Sequence, residues 1–305
     1  MSSRYRPQLA SLVETPPKGD DWVHEIKYDG YRIGAVRDGK SVRLESRNEI
    51  DWTDKLPEIV KAVAALPCQS AVIDGEAVIL LPDGRTSFQA LQNVFRAGAQ
   101  RGGLAYFVFD LLELDGKSLV ELPLVQRKAL LCELVRNAPE LIRYSQHLEV
   151  DGATVLTQAA QLGMEGIVSK RRHAAHRPGR SDGWQKIKCI QMDDFWIAGF
   201  TEPAGSRKGV GALVLGTQRD GQLCFCGSVG TGKGWNAAFL TELRRALDSI
   251  RQSDCPFPEA PPAEVVRSAH WVRPVLRCEV AFAEKTQDGT LRHPTFRGFV
   301  SPDAK

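Results

Sequence analysis

From Leu104 to Leu114 the chain reads LAYFVFDLLEL, an almost unbroken apolar run. A run this short and this apolar is expected of a strand buried on both faces. Cover on both sides requires a layered domain, and the neighbouring segments supply the layers. Residues 22–36 are rich in β-formers, and Asp38-Gly39 is a hairpin turn ahead of a strand at 42–46. Leu56, Ile59, Val60, Val63 and Leu66 recur at helical spacing. Residues 71–81 read as a strand interrupted by a charged Asp-Gly-Glu. Phe88, Leu91 and Phe95 suggest a short helix. Helical patterns at 124–135 and 153–162 and strands at 166–170 and 184–188 complete an α+β domain of mainly antiparallel sheets.

After about Cys189 the texture changes to short strands with glycine turns at 195–201, 212–217 and 223–229. A helix at 237–250 and a long strand at 271–283 follow, separated by a proline-rich loop. Short strands with one helix fit a small β-barrel of the oligonucleotide-binding type, the OB-fold. The expected division is residues 1–190 and 191–305, without repeats or low-complexity segments.

Composition is that of an ordinary globular protein, 43% hydrophobic and 25% charged. No apolar run is long enough to span a membrane, and the first fifteen residues have no signal-type apolar core, so a cytoplasmic location is expected. The 7 cysteines are scattered without a zinc spacing, Cys224 and Cys226 included, and read as buried free thiols. Net charge is only +3, but seven Lys or Arg stand against two acids between Glu165 and Lys188. That is a local, phosphate-sized positive field, or else a solvated surface run.

The chemistry centres on Glu25-Ile26-Lys27-Tyr28-Asp29-Gly30-Tyr31-Arg32. An ammonium inside an apolar strand is expensive unless paired. Lys27 is therefore either a strand-end lysine paired with Asp29 or Glu25, or an amine made nucleophilic by desolvation and neighbouring cations or metal. Lys186-Ile187-Lys188 aims two ammonium groups at one strand face, a costly arrangement unless a polyanion neutralises it. His173 and His176 sit three apart in a basic loop and read as surface histidines. Residues 227–234 are glycine-rich but lack P-loop order, and read as a barrel turn.

Lys27-Tyr28-Asp29-Gly30-Tyr31-Arg32 resembles the K-x-D-G-x-R signature of the covalent nucleotidyltransferases: ATP-dependent DNA ligases, RNA ligases and mRNA capping enzymes. Further motifs of that superfamily follow in order. They are Ser46-Arg47-Asn48, Asp74-Gly75-Glu76, Phe109-Asp110-Leu111-Leu112, Glu165-Gly166-Ile167-Val168-Ser169-Lys170 and Lys186-Ile187-Lys188. Within the superfamily the chain most resembles the ligase domain of bacterial ligase D, the non-homologous end-joining enzyme. The segments 22–32, Ser87-Phe88-Gln89-Ala90-Leu91-Gln92 and Arg177-Pro178-Gly179-Arg180 carry that likeness.

The resemblance implies a minimal ligase: an adenylation (nucleotidyltransferase) domain, then an OB-fold barrel, with no added N-terminal DNA-binding domain. It implies that Lys27 takes AMP from ATP and passes it to a DNA 5′-phosphate, which a 3′-hydroxyl then attacks. Glu25 would receive the adenine amino group and Phe109 would stack on the base, although Phe109 also reads as plain core. Arg47 and Glu76 would lie near the ribose or metal, Glu165 would bind Mg or Mn, and Lys186 and Lys188 would face the α-phosphate. Asp29 and Arg32 would organise the turn and the phosphate end; Arg32 would also touch the DNA 5′-phosphate, with Arg171, Arg177 and Arg180 as further DNA contacts. Arg292 and Arg297 resemble the start of the sixth motif, which orients the pyrophosphate of ATP. There the chain departs from the family: Val300 stands where an arginine is usual, and Ser301-Pro302-Asp303 replaces an acidic-basic tail. Weaker self-adenylation is the expectation, with sealing of pre-adenylated ends unaffected. Glu49 also replaces a glycine usual after Ser-Arg-Asn. The expected partners are DNA and the end-binding protein Ku, the chain acting as a monomer. An RNA ligase, a capping-type guanylyltransferase and a non-catalytic DNA end-binding protein are the competing readings.

Overall fold

The computed structural model describes residues 5–97, 102–203, 209–231, 235–286 and 288–300. The chain divides into two compact units, Met1–Cys189 and Ile190–Lys305. The first begins with β1 (Gln8–Leu12), β2 (Trp22–Ile26), β3 (Tyr31–Asp38) and β4 (Ser41–Ser46). Helix α1 (Pro57–Ala64), β5 (Ser70–Ile79), α2 (Phe88–Ala97), β6 (Leu104–Leu114) and β7 (Lys117–Ser118) follow. Then come α3 (Leu124–Leu134), β8 (Ile142–Tyr144), β9 (His147–Leu148), α4 (Gly152–Gln161), β10 (Gly166–Arg171) and β11 (Gly179–Lys188).

These strands form two sheets. One has the order β1-β11-β10-β2-β9, the other β4-β3-β5-β6-β7 with β8 beside β6. Pairing is antiparallel except for β1 with β11 and β6 with β8. The burial pattern of β6 agrees with its sequence: Ala105, Tyr106, Val108, Leu111 and Leu112 are buried, as cover on both faces requires. Ile33, Ala35, Ile73, Ala77 and Val108 from one face of the second sheet pack with Ile59 and Val63 of α1 and Leu131 of α3. The other face carries Arg32, Asp74 and Glu76, because side chains two apart on a strand share a face.

Residues 27–30 pass from β2 in the first sheet to β3 in the second. Lys27 therefore lies just beyond a strand rather than inside one, its backbone N–H donating to the Gly166 carbonyl at 2.9 Å. Gly30 makes the crossing possible: a Cβ there would stand 2.2 Å from the Ala77 carbonyl oxygen and 2.7 Å from Val78 Cγ1. Asp29 secures the far side. Its carboxylate accepts from the Phe88 N–H at 3.2 Å at the start of α2, and its own N–H donates to Thr86 Oγ1 at 3.1 Å. A carboxylate at an exposed helix N-terminal N–H is favourable on both hydrogen-bond and dipole grounds.

The second unit is an OB-type barrel built from β12 (Gln191–Thr201), β13 (Ala212–Arg219), β14 (Gln222–Gly230), α5 (Ala237–Ser249), α6 (Ala263–Ser268) and β15 (Ala269–Phe282). The short strands β16 (Glu284–Lys285), β17 (Leu291–Arg292) and β18 (Thr295–Phe299) complete it. Its main sheet runs β14-β13-β12-β15-β18, all antiparallel. Phe195, Ile197, Leu213, Leu215, Val280 and Phe282 fill its core with Leu243 and Leu247 of α5. Residues 232–234 of the glycine-rich turn and the tail from Ser301 lie outside the described residues.

Several expectations need correction. His176 is 2% exposed, not a surface group: its Nε2 meets the Arg6 carbonyl at 2.8 Å and its Nδ1 lies 3.6 Å from Asp110. Cysteines 68, 189, 226 and 278 are buried, but Cys132 is exposed because it lies on the outer side of α3; Cys224 and Cys255 are half-buried. β11 begins five residues earlier than the apolar pattern suggests, at Gly179, because its N-terminal part pairs in parallel with β1 and needs no apolar face of its own. Among the described residues no helix is long and apolar enough to cross a membrane.

Candidate active site

A cavity of about 520 Å³ lies within the first unit, lined by strands of both sheets and the crossing between them. Glu25, Lys27, Arg32, Arg47, Glu76, Phe109, Arg180 and Lys186 line it, so eight residues singled out in the sequence meet in one place. Lys188 does not line it but reaches Glu165 Oε1 at 3.8 Å. The Lys27 ammonium forms an ion pair with Glu165 Oε2, both side chains about one-fifth exposed. Lys27 is thus paired, though with neither of the carboxylates close to it in sequence. Its partner comes from the turn between α4 and β10, which no local pattern reveals.

The Asp-Gly-Glu segment on β5 has three separate tasks. Asp74 is fully buried and takes Arg32 in a fork, Nε at 3.0 Å and Nη2 at 2.6 Å, while Tyr5 donates to Asp74 Oδ1 at 2.8 Å. Such a bidentate pair fixes the guanidinium plane as well as its position. Gly75 lets β5 lie close to Tyr106, whose ring would stand 2.5 Å from a Cβ. Glu76 faces the cavity. Burial pushes its carboxyl up to about 8, Asp74 and Glu165 add to the shift, and Lys27 and Arg32 oppose it. Burial also lowers Lys186, with Lys27, Arg180 and Lys188 acting in the same direction. The Lys27 end of the cavity is therefore short of solvent and crowded with like charges of both signs, a condition typical of reactive sites.

Part of the lining is aromatic. Phe109 and Trp184 meet edge-to-face at 6.0 Å, with Lys170 Nζ 4.4 Å and 4.2 Å from their centroids. The Arg32 guanidinium lies 5.4 Å from each. Phe109 is nine-tenths buried, so it serves as core and cavity wall at once. The Glu25 carboxylate is buried and already holds three donors: Lys128 and Lys170 at Oε1 and Ser145 at Oε2, each at 2.8 Å. The neighbouring Asp110 belongs to the fold. It is fully buried and gripped by Arg127, Nε to Oδ1 at 2.8 Å and Nη2 to Oδ2 at 2.9 Å.

The remaining candidates are dispersed. Arg171 pairs with Asp21 and lies over Trp22 at 4.6 Å; Arg177 pairs with Glu121 at 2.7 Å. Neither lines the cavity, whereas Arg180 does, its Nη1 donating to the Ala10 carbonyl at 3.0 Å. Arg292 on β17 and Arg297 on β18 belong to the second unit, where Val300 donates its N–H to the Arg277 carbonyl at 3.0 Å. Lys128, Ser145, Tyr28 and Trp184 escaped the sequence reading. A helical lysine such as Lys128 has no local signature that separates it from a surface lysine. Glu49, in place of the usual glycine, has φ +60°, which explains why glycine suits the position.

A divalent cation fits this site in one particular way. Among the described residues no group of three His, Cys, Asp or Glu side chains could chelate a metal. Glu76 nevertheless lines the cavity, and Glu165, outside the lining, is brought to it by its ion pair with Lys27, so two carboxylates lie near that lysine. A magnesium-like ion that keeps its waters and takes substrate phosphate oxygens needs no more.

Comparison with known proteins identifies the family. The family described as "ATP dependent DNA ligase domain" matches residues 7–188, and "ATP dependent DNA ligase C terminal region" matches 206–301. The chain is 41% identical over 297 residues to the multifunctional non-homologous end joining protein LigD of Pseudomonas aeruginosa, covering 96% of this chain and 35% of that protein. It therefore spans about a third of the length of that relative. The crystal structure of the ligase domain of M. tuberculosis LigD superposes with a TM-score of 0.57 at 32% identity, covering 98% of this chain and 96% of that one. A mycobacterial DNA ligase D complexed with ATP and MES matches with the same TM-score, identity and coverage. With both halves of the chain matched in order and the candidate residues gathered in one cavity, the chain belongs to the ATP-dependent DNA ligase family.

Proposed function

We propose that this chain seals nicks or ends in DNA through a lysyl-AMP intermediate on Lys27. The observation that carries the reading is the Lys27–Glu165 pair beside a cavity that also takes Arg47, Glu76 and Lys186. Lys27 Nζ, after passing its proton to a nearby acceptor such as Glu165, attacks the α-phosphorus of ATP. A P–N bond forms, the bond to the β-phosphate breaks, and pyrophosphate leaves. An oxygen of the DNA 5′-phosphate then attacks the same phosphorus, which frees the lysine and leaves AMP on the DNA. The 3′-hydroxyl attacks that DNA phosphate, forms the phosphodiester and expels AMP. Nucleotidyl transfer of this kind depends on positioning and charge stabilisation, which Lys186 and Lys188 supply to the α-phosphate. Arg47 and Glu76 hold the ribose end, and Glu25 and Phe109 the base.

Glu165 and Glu76 would hold Mg or Mn with substrate oxygens; when bound, the ion offsets phosphate charge. Arg32 and Arg180 meet the DNA phosphates at the cavity, Arg171 and Arg177 meet them farther out, and Arg292 and Arg297 meet the pyrophosphate of ATP. The ligase-D likeness supports double-strand break repair in the bacterial cytosol as the setting, with Ku as a partner and one copy of the chain as the working unit.

Incubation with ATP labelled at the α-phosphate, followed by denaturing electrophoresis, tests the reading. Label should stay on the protein with ATP, not GTP, and disappear in Lys27→Ala. A Lys27→Ala variant that seals nicked duplex as well as the parent would remove the covalent mechanism. Retention of label from GTP alone would replace the ligase reading with that of a capping enzyme.

A further inference from the structure

Beside Phe109 and Trp184 lies a charged cluster of which the sequence motifs contain Glu25 and Lys170 but neither Lys128 nor Ser145. Lys128 on α3 is wholly buried, its Nζ 2.8 Å from Glu25 Oε1 and donating to the Ser145 carbonyl at 2.9 Å. Lys170 on β10 donates to the same Oε1 at 2.8 Å, and Ser145 Oγ donates to Oε2 at 2.8 Å. One carboxylate on β2 is thus gripped from α3, from β10 and from the turn after β8. Two buried amines face one carboxylate, and burial together with the neighbouring Lys128 pushes Lys170 down to about 8, against the pull of Glu25. Stability alone is a poor reason for such a cluster, since well-packed apolar groups of the same volume do as well or better.

The cluster does accomplish something chemically definite. Burial acts to raise the Glu25 carboxyl, but Lys128 and Lys170 outweigh it and hold it below its ordinary value. An ionised carboxylate only accepts hydrogen bonds, at about four lone-pair positions. Both lysines occupy Oε1 and only Ser145 occupies Oε2, so one of these acceptor positions is left over, and Glu25 is part of the cavity lining. Lys170 cannot offer a compensating donor freely, because its ammonium is spent on Oε1 and on the faces of Phe109 and Trp184.

We propose that Lys128 is a positioning residue for nucleotide choice: it holds Glu25 as a fixed, acceptor-only group that admits a purine with a 6-amino group and rejects one with a 6-keto group. This rests on the cavity being the ATP site. A keto oxygen facing the carboxylate would leave two acceptors opposed, the kind of mismatch that polar sites reject strongly.

The test is the ratio of labelling rates with ATP and with inosine triphosphate, which differs from ATP only at carbon 6. Lys128→Met keeps length and burial and removes the charge; Ser145→Ala removes the donor on Oε2. The wild-type ratio should favour ATP by at least tenfold, and Lys128→Met should narrow it about tenfold, chiefly by slowing ATP. Being a ratio, it is insensitive to any misfolded fraction. If Lys128→Met does not fold, Lys128→Gln, which keeps a donor for Glu25 Oε1 without the charge, takes its place and should narrow the ratio likewise, with Ser145→Ala as the companion variant on Oε2. Ratios within twofold of wild type in the folded variants would overturn the proposal. Wild-type protein that takes label from neither nucleotide would overturn instead the functional reading beneath it.

Discussion

Arg127→Leu should be among the most damaging single substitutions outside the cavity. The Arg127 and Asp110 side chains are both fully buried and joined by two hydrogen bonds, at 2.8 and 2.9 Å. Arg127 Nη1 also serves the carbonyls of Leu122 at 2.6 Å and Ala174 at 3.2 Å. Removing one partner of such a pair leaves a buried charge uncompensated, at a cost of about 3–5 kcal/mol. A domain has roughly 5–15 kcal/mol in total. At about 2–4 °C per kcal/mol for a domain of this size, the expected fall in Tm is about 6–20 °C. Neutralising the orphan with Asp110→Asn in the same chain should restore about 2 kcal/mol; the two carbonyls stay unserved, so recovery is incomplete.

The pH dependence follows from the sign of the Asp110 shift. Burial acts to raise its carboxyl, but His176 and Arg127 outweigh it and hold it well below the ordinary carboxylate range. A depressed carboxyl contributes stability above its unfolded pKa of about 3.9 and loses it as pH falls toward the folded value. In Arg127→Leu the Arg127 share of that depression is gone and only that of His176 remains, so Asp110 takes up a proton at a higher pH than in the parent and relieves the variant. The gap in Tm between wild type and variant should therefore narrow between pH 7 and pH 4.5. Thermal unfolding of the parent, the single and the double variant across that range is the assay. A single variant within about 1 kcal/mol of wild type, or a gap that does not change with pH, would refute the reasoning.

Other sites give separate tests. Gly30→Ala should cost about 1–3 kcal/mol from overpacking against Ala77 and Val78 and slow labelling at least tenfold by displacing Lys27; chemical denaturation and the labelling rate report the two effects. Glu49→Gly should raise stability by up to about 1 kcal/mol, because the residue at φ +60° no longer carries a Cβ; an unchanged denaturation midpoint would argue against strain there. Val300→Arg should speed self-adenylation about tenfold, the worth of one charged hydrogen bond of roughly 1.5 kcal/mol, and leave sealing of pre-adenylated nicks unchanged. Single-turnover rates of the two steps, measured side by side, decide that case.

What the sequence determined by itself is whatever repeats locally. The apolar run of β6, the 3.6-residue spacing of α1 and the Asp38-Gly39 turn are written in neighbouring residues, because burial on one face obeys the period of the element. The ordered motifs from Lys27 to Lys188 were legible for the same reason: each is a short string. The tertiary structure decided which strings meet and what each charge is for. Lys27 pairs with Glu165, 138 positions away; Asp74 orients Arg32; and Asp110, beside the motif phenylalanine, holds the fold together with Arg127. His176 reads as a surface residue, being a histidine in a basic loop, and nothing in the sequence singles out Lys128, a lysine on a helix. Only packing reveals that each lies buried against a carboxylate from a distant strand. A buried charge is permitted by its partner, and the partner is set by the chain's path through two sheets rather than by anything adjacent to it.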